Sequence, residues 1–337
     1  MYEHITGGGC VGAPLPDALL SEAALMLRAL LKDLNAAGCR VAILGDERLE
    51  LSSLAAAVHA VGDADQRERA FDDAVRASDA TWVIAPETGG VLESLSRRVL
   101  LVGRQLLGSR PEAVGVAASK YETARRLDRG GVPVVPTFRS WERMDVAAAA
   151  WVAKPDDGCG CQDTRMFSDS GAASAWIETR PAPARFVLQP YVRGDAASLS
   201  VLVRERRAWL LSVNRQHVVT VDQTFSFRGC LVNAEPDSSG RFQHLAQGIA
   251  EAIPGLWGYV GVDLILAASG PLVLEVNPRL TTSYAGLSAA LELNTAALVL
   301  GLLENGQPQA RDLGRRGVAV EVAVPGIEAG PLQEARA

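Results

Sequence analysis

Residues 259–279 constrain the fold of this chain more than any other stretch. Tyr259-Val-Gly-Val-Asp263-Leu-Ile-Leu-Ala267 and Leu272-Val-Leu-Glu275-Val-Asn277-Pro-Arg279 read as two apolar strands, with Ala268-Ser269-Gly270 as the hairpin loop between them. Side chains alternate along a strand, so Glu275 and Asn277 share one face. A three-residue loop at 268–270 places Asp263 directly opposite Glu275 on that face, whereas a two-residue loop places the two carboxylates on opposite faces. Carboxylates among so many apolar neighbours are costly unless they are paired or bind a metal. In the three-residue register Asp263, Glu275 and Asn277 form an all-oxygen set suited to Mg²⁺ or Mn²⁺ and not to zinc. The plain alternative is a solvated hairpin edge.

The rest of the composition narrows the function classes. With 337 residues, the chain has material for two or three subdomains. A net charge of −6 argues against nucleic-acid and anionic-membrane partners, both of which need a basic surface. Cys159 and Cys161 are too close for an easy disulfide, and Cys10, Cys39 and Cys230 are scattered, which fits a reducing, cytoplasmic setting. No apolar run reaches membrane-spanning length, and the start of the chain lacks a basic-then-apolar signal. Self-association is left open.

Strand and helix signals alternate over residues 1–108. An amphipathic helix spans Leu19–Asn35, a strand Arg40–Leu44, a charged helix 65–78, a strand 81–85 and a helix Gly90–Leu101. This order implies a doubly wound α/β domain with a parallel sheet. Ligand loops in such sheets follow the strand ends, which singles out Gly7-Gly8-Gly9 and the Glu87 loop, Pro86–Gly90. Residues 109–188 read as a smaller α+β unit with a helix at Ser119–Arg129. From 189 to 328 strands dominate, with helices expected at 241–252 and 284–303. Residues 329–337 read as a flexible tail.

A second chemical feature lies in the middle unit. Lys154-Pro155-x-x-Gly158-x-Gly160 begins where the strand Trp151–Lys154 ends, so 154–163 reads as a phosphate loop: a fixed cation followed by glycines that let backbone amides approach an anion. It is not a Walker loop, because the lysine precedes the glycines. Alone, such a loop is more often a plain turn.

Lys120, Lys154, the segment Gln189-Pro-Tyr191-Val192-x-Gly194, Asp263 and Glu275-x-Asn277-Pro-Arg279 occur in that order. The ordered set resembles the ATP-grasp superfamily of carboxylate–amine ligases, and the resemblance covers nearly the whole chain. It implies an ATP-grasp fold, α/β and α+β, behind an N-terminal pre-ATP-grasp domain. The implied cofactors are ATP and Mg²⁺ or Mn²⁺, with two ions bridged by Glu275 and held by Asp263 and Asn277. Lys120, Lys154, Gly158 and Gly160 are implied at the phosphates. Gln189, Tyr191 and Val192 are implied at adenine, Asp195 at ribose and Arg279 at the transferring phosphoryl group or acyl phosphate.

Three departures stand out. Cys161 occupies a position where many members have a third glycine. Ala196 replaces a common ribose-binding glutamate, with Asp195 one residue earlier. Gly261 replaces an arginine found in some members before the first metal carboxylate, leaving Arg279 or Arg215 to supply that charge.

The openings Glu3-His4-Ile5-Thr6-Gly7-Gly8-Gly9 and Ala85-Pro86-Glu87-Thr88 resemble the tyramine–L-glutamate ligase branch of the superfamily, which serves methanofuran-type cofactor synthesis. The resemblance implies an amino acid and an amine as small-molecule partners, with Gly7, Gly8, Gly9, Glu87 and Arg215 as candidate substrate contacts. The alternatives are an ATP-grasp ligase for another amino acid and amine or peptide, and a regulatory protein that binds ATP without turnover. No G-x-S-x-G elbow or convincing Cys/His pair is present, so the chemistry expected is acyl phosphate rather than acyl-enzyme.

Overall fold

The computed structural model describes residues 1–51, 53–158, 160–308 and 317–325, so Cys159 and the tail expected at 329–337 lie outside the described residues. The chain opens with β1 (Tyr2–Glu3), α1 (Asp17–Ala36), β2 (Ala42–Asp46), β3 (Ala57–Val61), α2 (Ala64–Ala77), β4 (Ala80–Thr81), β5 (Val83–Ile84), α3 (Val91–Leu101), β6 (Gln105–Leu106) and α4 (Pro111–Ala118). All three strand pairings here, β1 with β5, β2 with β3 and β4 with β6, are parallel, as the alternation of elements implies.

The middle unit contains α5 (Lys120–Arg129), β7 (Trp151–Pro155), β8 (Arg165–Phe167), α6 (Ser170–Glu178) and β9 (Phe186–Pro190). Ser119 caps α5 by accepting the Glu122 amide at 3.1 Å, which fixes where the helix starts and sets Lys120 in its first turn.

The last part comprises β10 (Asp195–Arg204), β11 (Arg207–Val221), β12 (Thr224–Glu235), α7 (Arg241–Ala252), β13 (Gly258–Ala267), β14 (Gly270–Asn277), α8 (Tyr284–Leu291), α9 (Thr295–Asn305) and β15 (Val320–Ala323). One antiparallel sheet runs in the order β14-β13-β10-β11-β12-β8-β7-β9, with β15 beside β12. Its two halves meet at the single pairing Thr224–Arg165.

The strand β12 does not stand out in the sequence, because its apolar positions are interrupted by Arg228 and by Gly229, where the register shifts at His217–Val218. The apolar runs at 208–213 and 217–221 belong to one fifteen-residue strand, β11. The single helix expected over 284–303 is two: Glu292 turns left-handed at φ 54°, and Asn294 starts α9 by accepting the Ala297 amide. The pair is bent by 85° at that break, and among the described residues no single helix is long and apolar enough to cross a membrane.

The N-terminal elements share a core with the last ones. Met26, Leu27, Leu30, Leu31 and Leu34 recur at helical spacing on α1 and are buried with Leu287, Leu291, Val299 and Leu302 of α8 and α9. Buried Asp33 on α1 accepts Tyr284 Oη at 2.9 Å and Ser288 Oγ at 2.6 Å, so its carboxylate is hydrogen-bonded. This junction packs the N-terminal elements, whose strands pair in three two-stranded parallel sheets, against the helices that follow the carboxylate hairpin.

Candidate active site

The hairpin turn differs from expectation. Ala267 pairs with Gly270, so the turn holds two residues, Ala268 and Ser269, and not three. By itself that register sets Asp263 opposite Leu274. A β-bulge between Asp263 and Leu264 adds one residue to β14, so Asp263 faces Glu275 and Gly261 faces Asn277. The bulge restores the facing pair that the shorter turn removes.

Glu275 is the electrostatic centre of the site. Its Oε2 lies 3.0 Å from Lys120 Nζ. Burial works against its charge, yet Lys120 and then Lys154 outweigh it and hold the carboxyl well below the ordinary range. Burial and the facing Glu275 push Asp263 the other way, well above the ordinary range. Asp263 accepts Gln216 Nε2 at 2.8 Å and Asn277 Nδ2 at 3.2 Å.

Among the described residues there is no group of three or more His, Cys, Asp and Glu side chains able to hold a metal ion. The donor set here is two carboxylates and an amide. Two facing carboxylates fit a hard divalent cation, which would offset the burial and the repulsion by Glu275 that raise Asp263.

Both lysines are buried, Lys120 at 7% and Lys154 at 9% exposure. Burial opposes the charge on Lys120, but Glu275, Glu87 and Asp156 more than compensate and raise its pKa. Burial dominates at Lys154 and, despite Glu275, lowers its pKa from 10.5 to about 8, with Lys120 adding to the fall. Two buried lysines beside Glu275 place positive charge where an anionic ligand could meet it.

The loop after Lys154, the one expected to receive phosphate, is tied down on two sides. Lys120 Nζ donates to the Gly158 carbonyl at 2.5 Å. Asp156 Oδ1 accepts the Tyr121 amide at 2.9 Å, and Oδ2 accepts Ser119 Oγ at 2.8 Å and Arg139 Nη2 at 2.7 Å, so this carboxylate clasps the start of α5. Asp157 reaches the N-terminal sheet: its carbonyl accepts Thr88 Oγ1 at 2.7 Å, and its Oδ2 accepts the Gly89 amide at 3.1 Å and Arg185 Nη2 at 2.6 Å. Gly160 sits at φ 64° with open space where a Cβ would point. Cys161 also adopts a left-handed φ, 61°, and burial, aided by Glu275, pushes its thiol up to about 11, so it is protonated at neutral pH.

Arg279 lies between the hairpin and the N-terminal sheet. Its Nε and Nη2 grip the Glu87 carboxylate at 2.9–3.1 Å, and Nη1 donates to the Leu280 carbonyl. The two side chains are 12% and 7% exposed. Gly261 lets Thr281, two residues after Arg279, pack closely on β13, since a Cβ there would approach Thr281 Cγ2 to 2.5 Å. A larger side chain at Gly261 requires Thr281 to shift.

The other candidates make contacts of their own. Gln189 is buried and donates to Thr137 Oγ1 at 2.9 Å; Thr137 also lines an open cavity of about 380 Å³ with Tyr121, Arg125, Phe138, Glu142 and Arg143. Tyr191 is 40% exposed. Val192 follows it in the hinge between β9 and β10. Arg215 lies 3.4 Å from Asp195 and 2.6 Å from Glu235, which engages both Arg215 and Asp195 in surface pairs. Gly7, Gly8 and Gly9 form a tight turn after β1. Cβ atoms there would meet Tyr2, Val61 and His4 at 2.7, 2.4 and 2.4 Å, so the chain's own packing accounts for all three glycines. Just before them, buried Glu3 accepts the Thr6 amide and hydroxyl, both at 2.7 Å.

Sequence reasoning overlooked Asp156, Asp157, Thr137 and Gln216. The signal for the first two was available: paired acids inside a loop meant for an anion need partners of their own.

The comparisons converge on one family. The model described as an ATP-grasp domain matches residues 117–283, and that of the pre-ATP-grasp domain matches residues 39–114. A tyramine–L-glutamate ligase of Methanocaldococcus jannaschii is 28% identical over 209 residues, 62% of this chain and 58% of that protein. The ligase of the same name from Methanocaldococcus fervens is 29% identical over 62% of this chain and 61% of its own length. The match thus spans about three fifths of these relatives. The crystal structure of a putative ATP-grasp superfamily protein from Archaeoglobus fulgidus superposes with a TM-score of 0.69 at 22% identity, covering 96% of this chain and 97% of that one.

Proposed function

The chain belongs to the ATP-grasp superfamily, and we propose that it is an ATP-dependent carboxylate–amine ligase joining the γ-carboxylate of L-glutamate to tyramine, with release of ADP and phosphate. The observation that carries the ligase reading is the buried set in which Lys120 and Lys154 flank Glu275 while Asp263 faces it across the hairpin. The named relatives and the order of motifs support the glutamate–tyramine pair.

In this reading Lys120, Lys154, Gly158 and Gly160 receive the phosphates, Gln189, Tyr191 and Val192 receive adenine, and Asp195 receives ribose. Asp263, Glu275 and Asn277 would hold Mg²⁺ or Mn²⁺, which when bound neutralises charge on the phosphate oxygens. A carboxylate is a poor electrophile at neutral pH. Transfer of the γ-phosphoryl group to it makes an acyl phosphate and ADP. The amine then attacks the acyl carbon and phosphate leaves. Charge in both steps spreads over oxygens, so the protein's task is positioning and cationic stabilisation. Arg279 supplies that charge on the acyl side. Gly7, Gly8, Gly9 and Arg215 are the substrate-side candidates, and Glu87 acts on that side through the arginine it holds. The tied phosphate loop keeps water from the intermediate.

The test incubates the purified protein with ATP, Mg²⁺ and a panel of amino acids and amines, reading ADP and product mass. The expected product is γ-glutamyltyramine, formed one per ADP. Stimulation by other pairs but not this one overturns the substrate assignment, and no ADP from any pair overturns the ligase reading.

A further inference from the structure

The segment 87–90 touches both sides of the site at once. Glu87 holds Arg279 through a two-pronged, buried contact at 2.9–3.1 Å. One and two residues on, Thr88 Oγ1 and the Gly89 amide hold Asp157 of the phosphate loop at 2.7 and 3.1 Å. The Glu87 charge also reaches Lys120. Three residues of the N-terminal domain therefore bridge the loop that covers the phosphates and the arginine beyond the metal hairpin.

Building on the ligase reading, we propose that Glu87 is a positioning residue that aims Arg279, and that the 87–90 segment couples this arginine to closure of the phosphate loop. The geometry favours this over direct substrate contact by Glu87, because its two oxygens are both engaged by the guanidinium. A side-on carboxylate–guanidinium pair fixes the plane of the arginine, which a single hydrogen bond does not. Arg279 stays charged and correctly turned before substrate arrives, so little reorganisation is left for the reacting complex. Because Asp157 hangs on the same short segment, opening the loop pulls on the backbone that carries Glu87. Acyl phosphate is then formed only when the cation that steadies it is in place, and water is kept out during its lifetime.

The test compares Glu87→Gln, Glu87→Asp and Asp157→Ala with the parent in kcat, KM for ATP, amide formed per ADP and thermal stability. Hydrogen–deuterium exchange of peptides covering 87–90, 151–167 and 279–283 is measured on the nucleotide-free proteins and needs no turnover. Glu87→Gln is expected to lower kcat about 100-fold, as misplacement of a reacting group does, with KM for ATP within about threefold. Glu87→Asp, which keeps the charge, recovers at least about tenfold of this loss. Asp157→Ala is expected to release ADP in excess of amide. Exchange should quicken in both 151–167 and 279–283 in Glu87→Gln and in Asp157→Ala. A kcat that falls only with the folded fraction, or exchange that quickens only beside the altered residue, overturns the proposal. Should the parent turn over no substrate pair, the ligase reading fails, and the exchange data still decide whether 87–90 links the two elements.

Discussion

Lys154→Met removes a buried cation while keeping most of the side chain's apolar volume. In the nucleotide-free protein, Lys154 has its pKa lowered from 10.5 to about 8, chiefly by burial. The folded state therefore bears the cost of a poorly solvated ammonium below pH 8. At about 1.4 kcal/mol per pKa unit, that cost is about 3 kcal/mol. The sign follows from proton counts. Between pH 8 and 10.5 the unfolded chain holds more protons on Lys154 than the folded one, so the parent gains stability as pH rises through this window. The methionine variant has no such term. It should melt higher than the parent at pH 7, by about 5 °C for a chain of this size, and the gap should shrink towards pH 10. Lys120 still partners Glu275 in the variant, so the remaining pair is intact. Thermal unfolding monitored by circular dichroism, without nucleotide or Mg²⁺, measures this directly. The same variant should form no ADP above background, which makes Lys154 a residue kept for function at the expense of stability. A variant that melts below the parent at pH 7, or a gap equal at pH 7 and 10, refutes the reasoning.

Two further substitutions probe the same centre. Glu275→Gln leaves Lys120 and Lys154 buried without their principal counter-charge. Removing one partner of such a pair costs about 3–5 kcal/mol, so the melting temperature should fall along with loss of ADP formation, and an unchanged melting curve would contradict the electrostatic account. Gly261→Ala drives a methyl against Thr281 Cγ2 and should displace the segment carrying Arg279, lowering kcat about tenfold or more. Gly261→Ala combined with Thr281→Ser removes the clashing methyl and should recover activity; if the double variant is no better than the single in steady-state assays, the steric explanation is wrong.

Much of this architecture was legible because it rests on local rules. Ser119 before a charged helix, glycines after Lys154 and apolar strands carrying single carboxylates each have a physical meaning that survives without tertiary context. The facing of Asp263 and Glu275 was read correctly for a partly wrong reason. Hairpin loop length alone sets the register of an unbroken hairpin, whereas this one combines a two-residue turn with a bulge at Leu274. A bulge leaves no mark in an unbroken apolar run, so nothing in Val273-Leu274-Glu275 signals it. The strand β12 carries a weak sequence signal because its pattern is broken by Arg228 and Gly229 and its stability comes from β11, β15 and β8 beside it. The break between α8 and α9 falls at Glu292-Leu293-Asn294, where no glycine or proline marks a helix end and only the capping residue Asn294 signals a new start. The Arg279–Glu87 pair joins residues 192 positions apart, beyond any periodicity argument. Each had been singled out alone, and only the fold shows that they belong together.

The central claim is that this site activates a carboxylate as an acyl phosphate. L-Glutamate labelled with ¹⁸O in its γ-carboxylate, incubated with ATP, Mg²⁺, tyramine and the protein, tests it most directly. The account predicts that one labelled oxygen appears in the released phosphate and the other stays in the amide. Phosphate free of label alongside amide formation would contradict it.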